Sequence, residues 1–389
     1  MFSRRMMIAA GAGVAGLAGL GYRGFDRGAF LPANGPAYEA WDQPLGEAGT
    51  YPALRPIDAA ILASSAHNTQ PWLFEAHEDV IAVYADLSKN LGAADPFRRE
   101  LYASLGCAIH NLGLASGTVP REMMPEMRER LTPDPSPSIV KVCDFIPGHA
   151  QSHGATLDTL FKRHTNRGPY RDRAVPSAFL RANDFVTFVT DPVAVTELGA
   201  LIVEATTRFI ADAEMSRDSG RWMRTGRRQI EATRDGVTVD TAGLSPLMTG
   251  LAKLLPDQDV ASADRYWLAS TRDVQVPTAA AYGVLFTSDR LVATEAIAAG
   301  MDWQAFHLAA TAAGLAAQPM NAPIELMDRD AVLGQANSYA SDIGKMAGVP
   351  VGGVENDVAF LFRLGYGERD AVRSPRRRFD DVIRSSRPA

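Results

Sequence analysis

The residues best suited to chemistry lie in two short polar stretches and a basic tail. The first stretch, ASSAHNTQPW from Ala63 to Trp72, sets Ser65, His67, Asn68 and Gln70 between the apolar runs AAIL and LF. Such side chains offer neutral donors and acceptors on short stems. They suit a planar, heteroatom-rich ligand whose edge carries C=O and N–H groups without full charge. Pro71 fixes the backbone direction, and Trp72 offers a broad apolar surface. The same residues also suit a capped, hydrogen-bonded loop above a core tryptophan, and residue types alone favour that plainer reading. His67, a lone histidine in a polar loop, reads as a hydrogen-bonding spacer more than as an acid–base catalyst. The second stretch, FKRHTNRGPY, holds Arg163, Thr165 and Arg167 ahead of Pro169, and the tail SPRRRFDDVI holds Arg376 and Arg377. By residue type, both also match solvated basic turns. His149 and His153 stand four apart, but PGHAQSHGA is a loop with no carboxylate partner, so no metal site is expected. No GxxxxGK[ST] loop, G-x-S-x-G elbow or H-E-x-x-H segment is present, and no catalytic side chain is assigned.

A chain of 389 residues that is 46% hydrophobic and 22% charged has enough apolar matter for a large core, as two domains or one two-lobed unit. A net charge of -6 with scattered basic clusters gives no support for nucleic-acid binding. Two cysteines, Cys107 and Cys143, make no disulfide framework, although an exported chain could pair them. The first 30 residues differ from the rest. SRRMMIAAGAGVAGLAGLGYR sets a twin arginine, Arg4 and Arg5, before an Ala/Gly-rich apolar run, and it resembles a twin-arginine export signal. Within it, GAGVAG fits the glycine fingerprint of a dinucleotide-binding turn. The Gly/Pro-rich residues 22–50 supply no strand to complete that unit, so the fingerprint is set aside. No A-x-A site closes the run, which leaves membrane association through residues 4–21 open. The expected location is the periplasm, free or membrane-anchored, with the cytoplasm as the alternative.

These residues need elements to position them. Residues 1–30 read as signal or anchor and 31–54 as a linker. PIDAAILASSA is helical, with Ile57, Ile61 and Leu62 near one face, and QPWLFEAHEDVIAVYAD reads as two strands turning at Glu75 to Asp79. In RRELYASLGCAIHNLGLASG, the residues Leu101, Leu105, Ile109 and Leu112 recur at helical spacing. SIVKVCDF, DFVTFVTD, AAAYGVLFTS and VAFLFRLGYG read as strands. TLDTLFKRHTN, ELGALIVEATTRFIADAEM and RLVATEAIAAGMDWQAFHLAATAAGL read as helices. Residues 214–275, rich in Arg, Asp, Gly and Pro, read as a long irregular insertion with short helical pieces around TGLAKLL and ADRYWLAS, and as a lid candidate. Gly106, Leu112, Leu114 and Ala115 align with Gly300, Phe306, Leu308 and Ala309 at an offset of 194, which suggests an internal duplication.

The order of letters in SSAHNTQPWLF resembles the S-x-x-N-x-Q-P-W-x-F segment of the nitroreductase family of FMN-dependent oxidoreductases. LGCAIHNLGLASG, FKRHTNRGPY and SPRRRFDDVI resemble further segments of that family, so the likeness runs from residue 55 to 384. It implies an α+β nitroreductase fold with mixed sheets flanked by helices. Family members carry the Arg-rich segment before the Asn-Gln-Pro-Trp segment, and two chains build two sites. Here the order is reversed and each half keeps one segment. That arrangement resembles a tandem-duplicated branch folded as a single-chain pseudo-dimer, with repeats over 55–155 and 156–389 and one composite FMN site. The chain would be such a monomer or a homodimer of it.

The resemblance implies FMN as cofactor and a small-molecule substrate, nitroaromatic or quinone-like. Arg163 and Arg167 would bind the FMN phosphate, where a fork of fixed donors suits a dianion. Thr165 would add a hydroxyl, and Arg376 and Arg377 are weaker phosphate candidates. Asn68 would hydrogen-bond the pyrimidine side of the ring, while Ser65, His67 and Gln70 shape its wall. NAD(P)H is not expected outside the inner membrane, so an exported enzyme needs another donor. The alternative is a protein that sequesters or stores FMN with little turnover.

Overall fold

The computed structural model describes residues 23–29, 33–42, 54–77, 79–133, 136, 138–146, 154–256, 259–352 and 356–384. The twin arginine, GAGVAG, His149 and His153 lie outside the described residues.

The first half runs α1 (Leu54–Ala60), β1 (Trp72–Ala76), β2 (Ile81–Asp86), α2 (Arg99–Ser116), β3 (Glu122–Met123), β4 (Ile139–Phe145) and α3 (Gly154–Lys162). Its strands form an antiparallel sheet in the order β1-β2-β4-β3, with Trp72 opposite Ala85 and Ile81 opposite Phe145. The second half carries β5 (Thr187–Val189), α4 (Pro192–Ala211), α5 (Ala213–Gly220), α6 (Arg227–Thr233), α7 (Pro246–Leu254), α8 (Val260–Ser270), β6 (Ala281–Thr287) and α9 (Ala293–Ala312). It closes with β7 (Ala316–Pro319), α10 (Ala322–Leu333), α11 (Tyr339–Ala347) and β8 (Asp357–Gly367). Its main sheet has the order β5-β6-β8-β7, again antiparallel. Each half therefore follows one path: central strand, long helix, short edge strand, long central strand. The fold is mixed α+β.

Both long helices are buried nearly all round because each packs on its own sheet and on the other helix. Their crossing is reciprocal. A Cβ on Gly106 would strike the Ile297 carbonyl, and one on Gly300 would strike the Ala103 carbonyl. The offset of 194 seen in the sequence carries one contact onto the other, taking Gly106 to Gly300 and Ala103 to Ile297. The hydrogen atoms of these glycines are what let the two backbones touch. The adjoining core takes Trp72, Phe74, Val83 and Leu105 from one half, and Trp303, Phe306, Phe360 and Phe362 from the other. On β8, Phe360, Phe362 and Leu364 face this core. Val358 and Leu361 face a second one with Ile202, Ile324 and Ile343.

Two readings of the sequence need correction. Residues 214–275 are largely helical. Asp212, Ser245 and Asp259 accept backbone N–H bonds at the starts of α5, α7 and α8, and Pro246 sits in the first turn of α7. The Asp and Pro that suggested irregular chain are helix starts. The supposed linker holds a 3₁₀ turn, Pro36–Trp41, whose Tyr38 and Trp41 are buried. Cys107 and Cys143 are both free and buried. The structure adds β7, α10 and α11, which sequence patterning did not separate from loop.

Replacing Gly300 by Ala is expected to cost at least about 1–3 kcal/mol, because the new methyl meets backbone carbonyl that cannot swing aside. Urea denaturation of G300A and G106A would measure this. An unchanged midpoint in either would mean that the helix crossing is not tight.

Candidate functional site

Between the end of α1 and the start of β1 the chain makes a loop with left-handed backbone at His67 (φ 46°), Asn68 (φ 57°) and Gln70 (φ 52°). Non-glycine residues avoid this region, and Asn tolerates it best. Hydrogen bonds hold the strained shape. Ala66 N donates to Ser104 Oγ at 2.9 Å, Gln70 N to Ser65 Oγ at 3.2 Å, Ser64 N to Gln304 Oε1 at 3.2 Å, and Gly236 N to Asn68 O at 3.1 Å. The polar composition of Ala63 to Trp72 is first the loop's own scaffold.

Beside this loop lie two buried guanidinium groups. Arg163, just past α3, donates to Ser64 Oγ at 2.8 Å and to the Leu62 carbonyl at 2.9 Å. Arg376 donates to Asn68 Oδ1 at 2.5 Å, Ser374 Oγ at 2.6 Å and the Ala63 carbonyl at 3.2 Å, with Trp41 4.6 Å from its guanidinium carbon. Among the described residues neither has a carboxylate partner, and the buried Nε of each meets no acceptor. Burial pulls the Arg163 guanidinium down to about 10. Arg376 lies well below the usual arginine range, through burial and then the charge of Arg163. Arg167 is lowered by burial too, and its Nη1 donates to the Thr241 carbonyl at 3.3 Å. Arg363 holds the second motif in place. Its guanidinium donates to the Gly168 carbonyl at 2.7 Å and stacks on Tyr170 at 3.9 Å.

These groups line a cavity of about 620 Å³, of a size suited to a small-molecule ligand. Ser65, His67, Asn68, Arg163, Thr165, Arg167 and Arg376 all reach it. The rest of its wall includes Trp303 and Phe360, residues 318–322 around β7, and α7 and α8 of the insertion. One face of α2 spans the cavity's electrical range. Glu100, Ser104 and Cys107 line it over two turns, about 10 Å along the axis. Glu100 pairs with Arg99 at 3.0 Å and accepts from Asn321 at 2.9 Å. Nearby, burial and the Glu100 charge hold the Glu325 carboxyl well above the usual range and push Asp95 up to about 7. The cavity is thus cationic toward Arg163 and carboxyl-lined toward Glu100 and Glu325.

Three histidines beside the arginines stay neutral. Burial, then the charge of Arg167, draws His67 down to about 4, and its Nε2 lies 2.8 Å from Ser219 Oγ on α5. His164, edge-on to Trp41 at 4.5 Å, falls to about 3 through burial and then Arg163. His307, 3.5 Å from Arg163, lies well below its usual value for the same reasons.

Gln70 and Arg377 do not line the cavity. Gln70 is fully buried, donating to the Arg234 carbonyl at 2.8 Å and accepting from Arg377 N at 2.8 Å. Arg377 Nη1 donates to the Gln70 carbonyl at 3.0 Å, so the pair ties tail to loop. Trp72 is wholly buried in the core and presents no surface to a ligand, because β1 turns it inward against the sheet. Asn68 spends both amide hydrogens on the Pro375 carbonyl at 2.9 Å and the Gly236 carbonyl at 3.2 Å. A bond from it to a ring edge requires one of these to break. Sequence reasoning missed Trp41, Glu100 and Glu325. The aromatic pair Tyr38 and Trp41 within a supposed linker was the available signal for the first.

No family model matches the chain. It is 26% identical over 312 residues to a protein of Mycobacterium tuberculosis, in strains H37Rv and CDC 1551, named "Putative NAD(P)H nitroreductase". The match covers 76% of this chain and 84% of that protein. Among solved structures it is similar to a nitroreductase with bound FMN from Desulfitobacterium hafniense (14% identity, TM-score 0.37, covering 61% of this chain and all of that one). It is also similar to the FMN-dependent nitroreductase NfnB of Mycobacterium smegmatis in complex with NADPH (19% identity, TM-score 0.34, covering 60% and 98%).

The neutral histidines set a pH dependence. For a base held below its ordinary value, the unfolded chain takes up a proton near pH 6.5 that the folded chain refuses until about pH 4. Stability is therefore greatest above 6.5 and falls on acidification, by on the order of 3 kcal/mol at pH 4 from His67. Urea denaturation at pH 7 and pH 4.5 should show this loss, and H67Q should lose less. An identical loss in H67Q would remove His67 from the account.

Proposed function

We propose that the chain binds FMN in the cavity and acts as a nitroreductase-like oxidoreductase on a small organic substrate. One observation carries this reading: Arg163 and Arg376 are buried side by side with no carboxylate partner among the described residues, each with an orphaned Nε, at one end of a cavity with aromatic walls. Buried cations left so far from neutrality call for an anion. A phosphate dianion accepts from several guanidinium donors at once, which suits this pair. The sequence likeness to a protein named as a nitroreductase points the same way.

In this reading Arg163 and Arg376 hold the phosphate charge, and Thr165 and Arg167 add donors on the same wall. Asn68 acts as a positioning residue, fixing Arg376 through its Oδ1. Trp303, Phe360 and the helices of the insertion keep water from the ring. FMN, when bound, supplies the hydride and electron transfer, so the chain needs no nucleophile of its own. On the far wall the Glu325 carboxyl, held well above the usual range, lessens the negative charge beside Glu100 where a neutral acceptor would lie.

We also read the two equivalent sheets and the reciprocal Gly106–Gly300 crossing as an internal duplication folded into a single-chain pseudo-dimer. The twin arginine at 4 and 5 is read as an export signal toward the periplasm. The roof formed by α7 and α8 favours a second reading, slow-exchanging FMN storage with little turnover.

The purified protein should be yellow and should release FMN on denaturation. R163A and R376A should each lower flavin content at least tenfold, and unchanged content in both would end the phosphate assignment. Bleaching by a donor, followed by recovery with an acceptor, separates oxidoreductase from storage. For export, R4K/R5K should leave the protein in the cytoplasm, and unaltered fractionation would discard that reading.

A further inference from the structure

Helix α7 is inside out. It buries Thr249 and Lys253, at 5% and 7% exposure, with Lys253 Nζ 2.7 Å from Asp240 Oδ1. To solvent it turns Leu247, Met248 and Leu251, exposed by 73%, 50% and 49%. Leu255, just past the helix, is 56% exposed and continues the stripe at the spacing i, i+4, i+8 from Leu247. A surface helix in water normally shows the opposite arrangement, and clustered exposed leucines mark a contact surface.

The surface extends beyond the helix. Residues 23–29 lie along α7: Arg23 donates to the Leu255 carbonyl at 2.5 Å, and Gly28 O accepts from Lys253 Nζ at 3.2 Å. Phe25 in this segment is 66% exposed, and the Arg227 guanidinium lies 5.8 Å from its ring. Beside it Arg228, its side chain 84% exposed, lies 3.6 Å from Asp26, and Arg227 pairs with Glu231 at 2.8 Å. The chain ahead of Arg23 is the uncharged run from Met6 to Tyr22, which joins the described chain at the Leu255 end of the stripe. Met248, Leu251, Leu255 and Val260 also line the cavity, so the stripe is the cavity's rim.

We propose that this face, Phe25 with the Leu247–Leu255 stripe, seats on a phospholipid bilayer and turns the cavity mouth toward the lipid. The occupant is a lipid surface because the rim is apolar and continues into the exposed Phe25, and the uncharged run that precedes Arg23 joins the chain on this same side. The consequence, which rests on the flavin reading above, is that the substrate is a lipid-soluble acceptor or donor of quinone type that enters from the membrane.

The test uses the full-length protein labelled with bimane at L247C, since Cys107 and Cys143 are buried. A second label at V119C, whose parent residue is 76% exposed, is the control. With vesicles of phosphatidylcholine and phosphatidylglycerol carrying doxyl-labelled lipid, the 247 label should be quenched at least twofold and the 119 label should not. Vesicle flotation without quenching at 247 would mean that the first residues alone hold the membrane, and would overturn the proposal. So would equal quenching at both positions. F25S/L247S, which leaves the cavity lining intact, should raise KM severalfold for a vesicle-borne quinone while flavin content and turnover with a water-soluble acceptor hold. Quenching at 247 in a protein that binds no FMN would leave the membrane face standing and remove only the flavin reading.

Discussion

Two positive charges taken out of water, with no carboxylate partner among the described residues, are what the site is organised around. Arg163 and Arg376 reach the same corner from residues more than 200 positions apart, and among the described residues carbonyl oxygens, hydroxyls, one amide oxygen and the His307 ring answer them. Neutral acceptors repay part of the lost hydration of a guanidinium and cancel none of its charge. Burial, and after it the charge of Arg163, lowers Arg376 and keeps His164 and His307 neutral. Buried guanidinium groups in this arrangement suit an anion.

The strained loop beside them serves the same end. Left-handed backbone at His67 and Asn68 turns the Asn68 side chain onto Arg376, and it presents the Asn68 carbonyl to Gly236. With the bonds to Ser104 and Gln304, the loop's contacts reach four parts of the chain: the tail, the insertion, α2 and α9. Backbone strain of this kind persists only where the surroundings over-determine it, and four separate elements do so here.

The insertion changes character once it is seen as part of the cavity. Three of its helices begin at side-chain caps, it meets the first motif through Ser219 and Gly236, and its α7 bears polar groups inward and apolar groups outward. Such reversal is costly in water and consistent with a partly apolar neighbour. The crossing of α2 and α9 sets the distance between the halves, because glycine at the contact leaves no room for adjustment.

Much of the frame was legible in the chain. Helical spacing in Leu101, Leu105, Ile109 and Leu112 and β-branched or aromatic runs such as VAFLFRL marked α2 and β8, since burial of one face imposes a period on the sequence. The letters of both polar motifs also marked the residues that gather at the cavity. Contacts remote in sequence leave no such period. That Gln70 and Arg377 bind each other, that Trp72 turns into the core and that Trp41 packs on Arg376 were decided by tertiary structure alone. A polar side chain looks the same on paper whether it faces a ligand or another residue. Only packing determines which of its hydrogen bonds remain to be made.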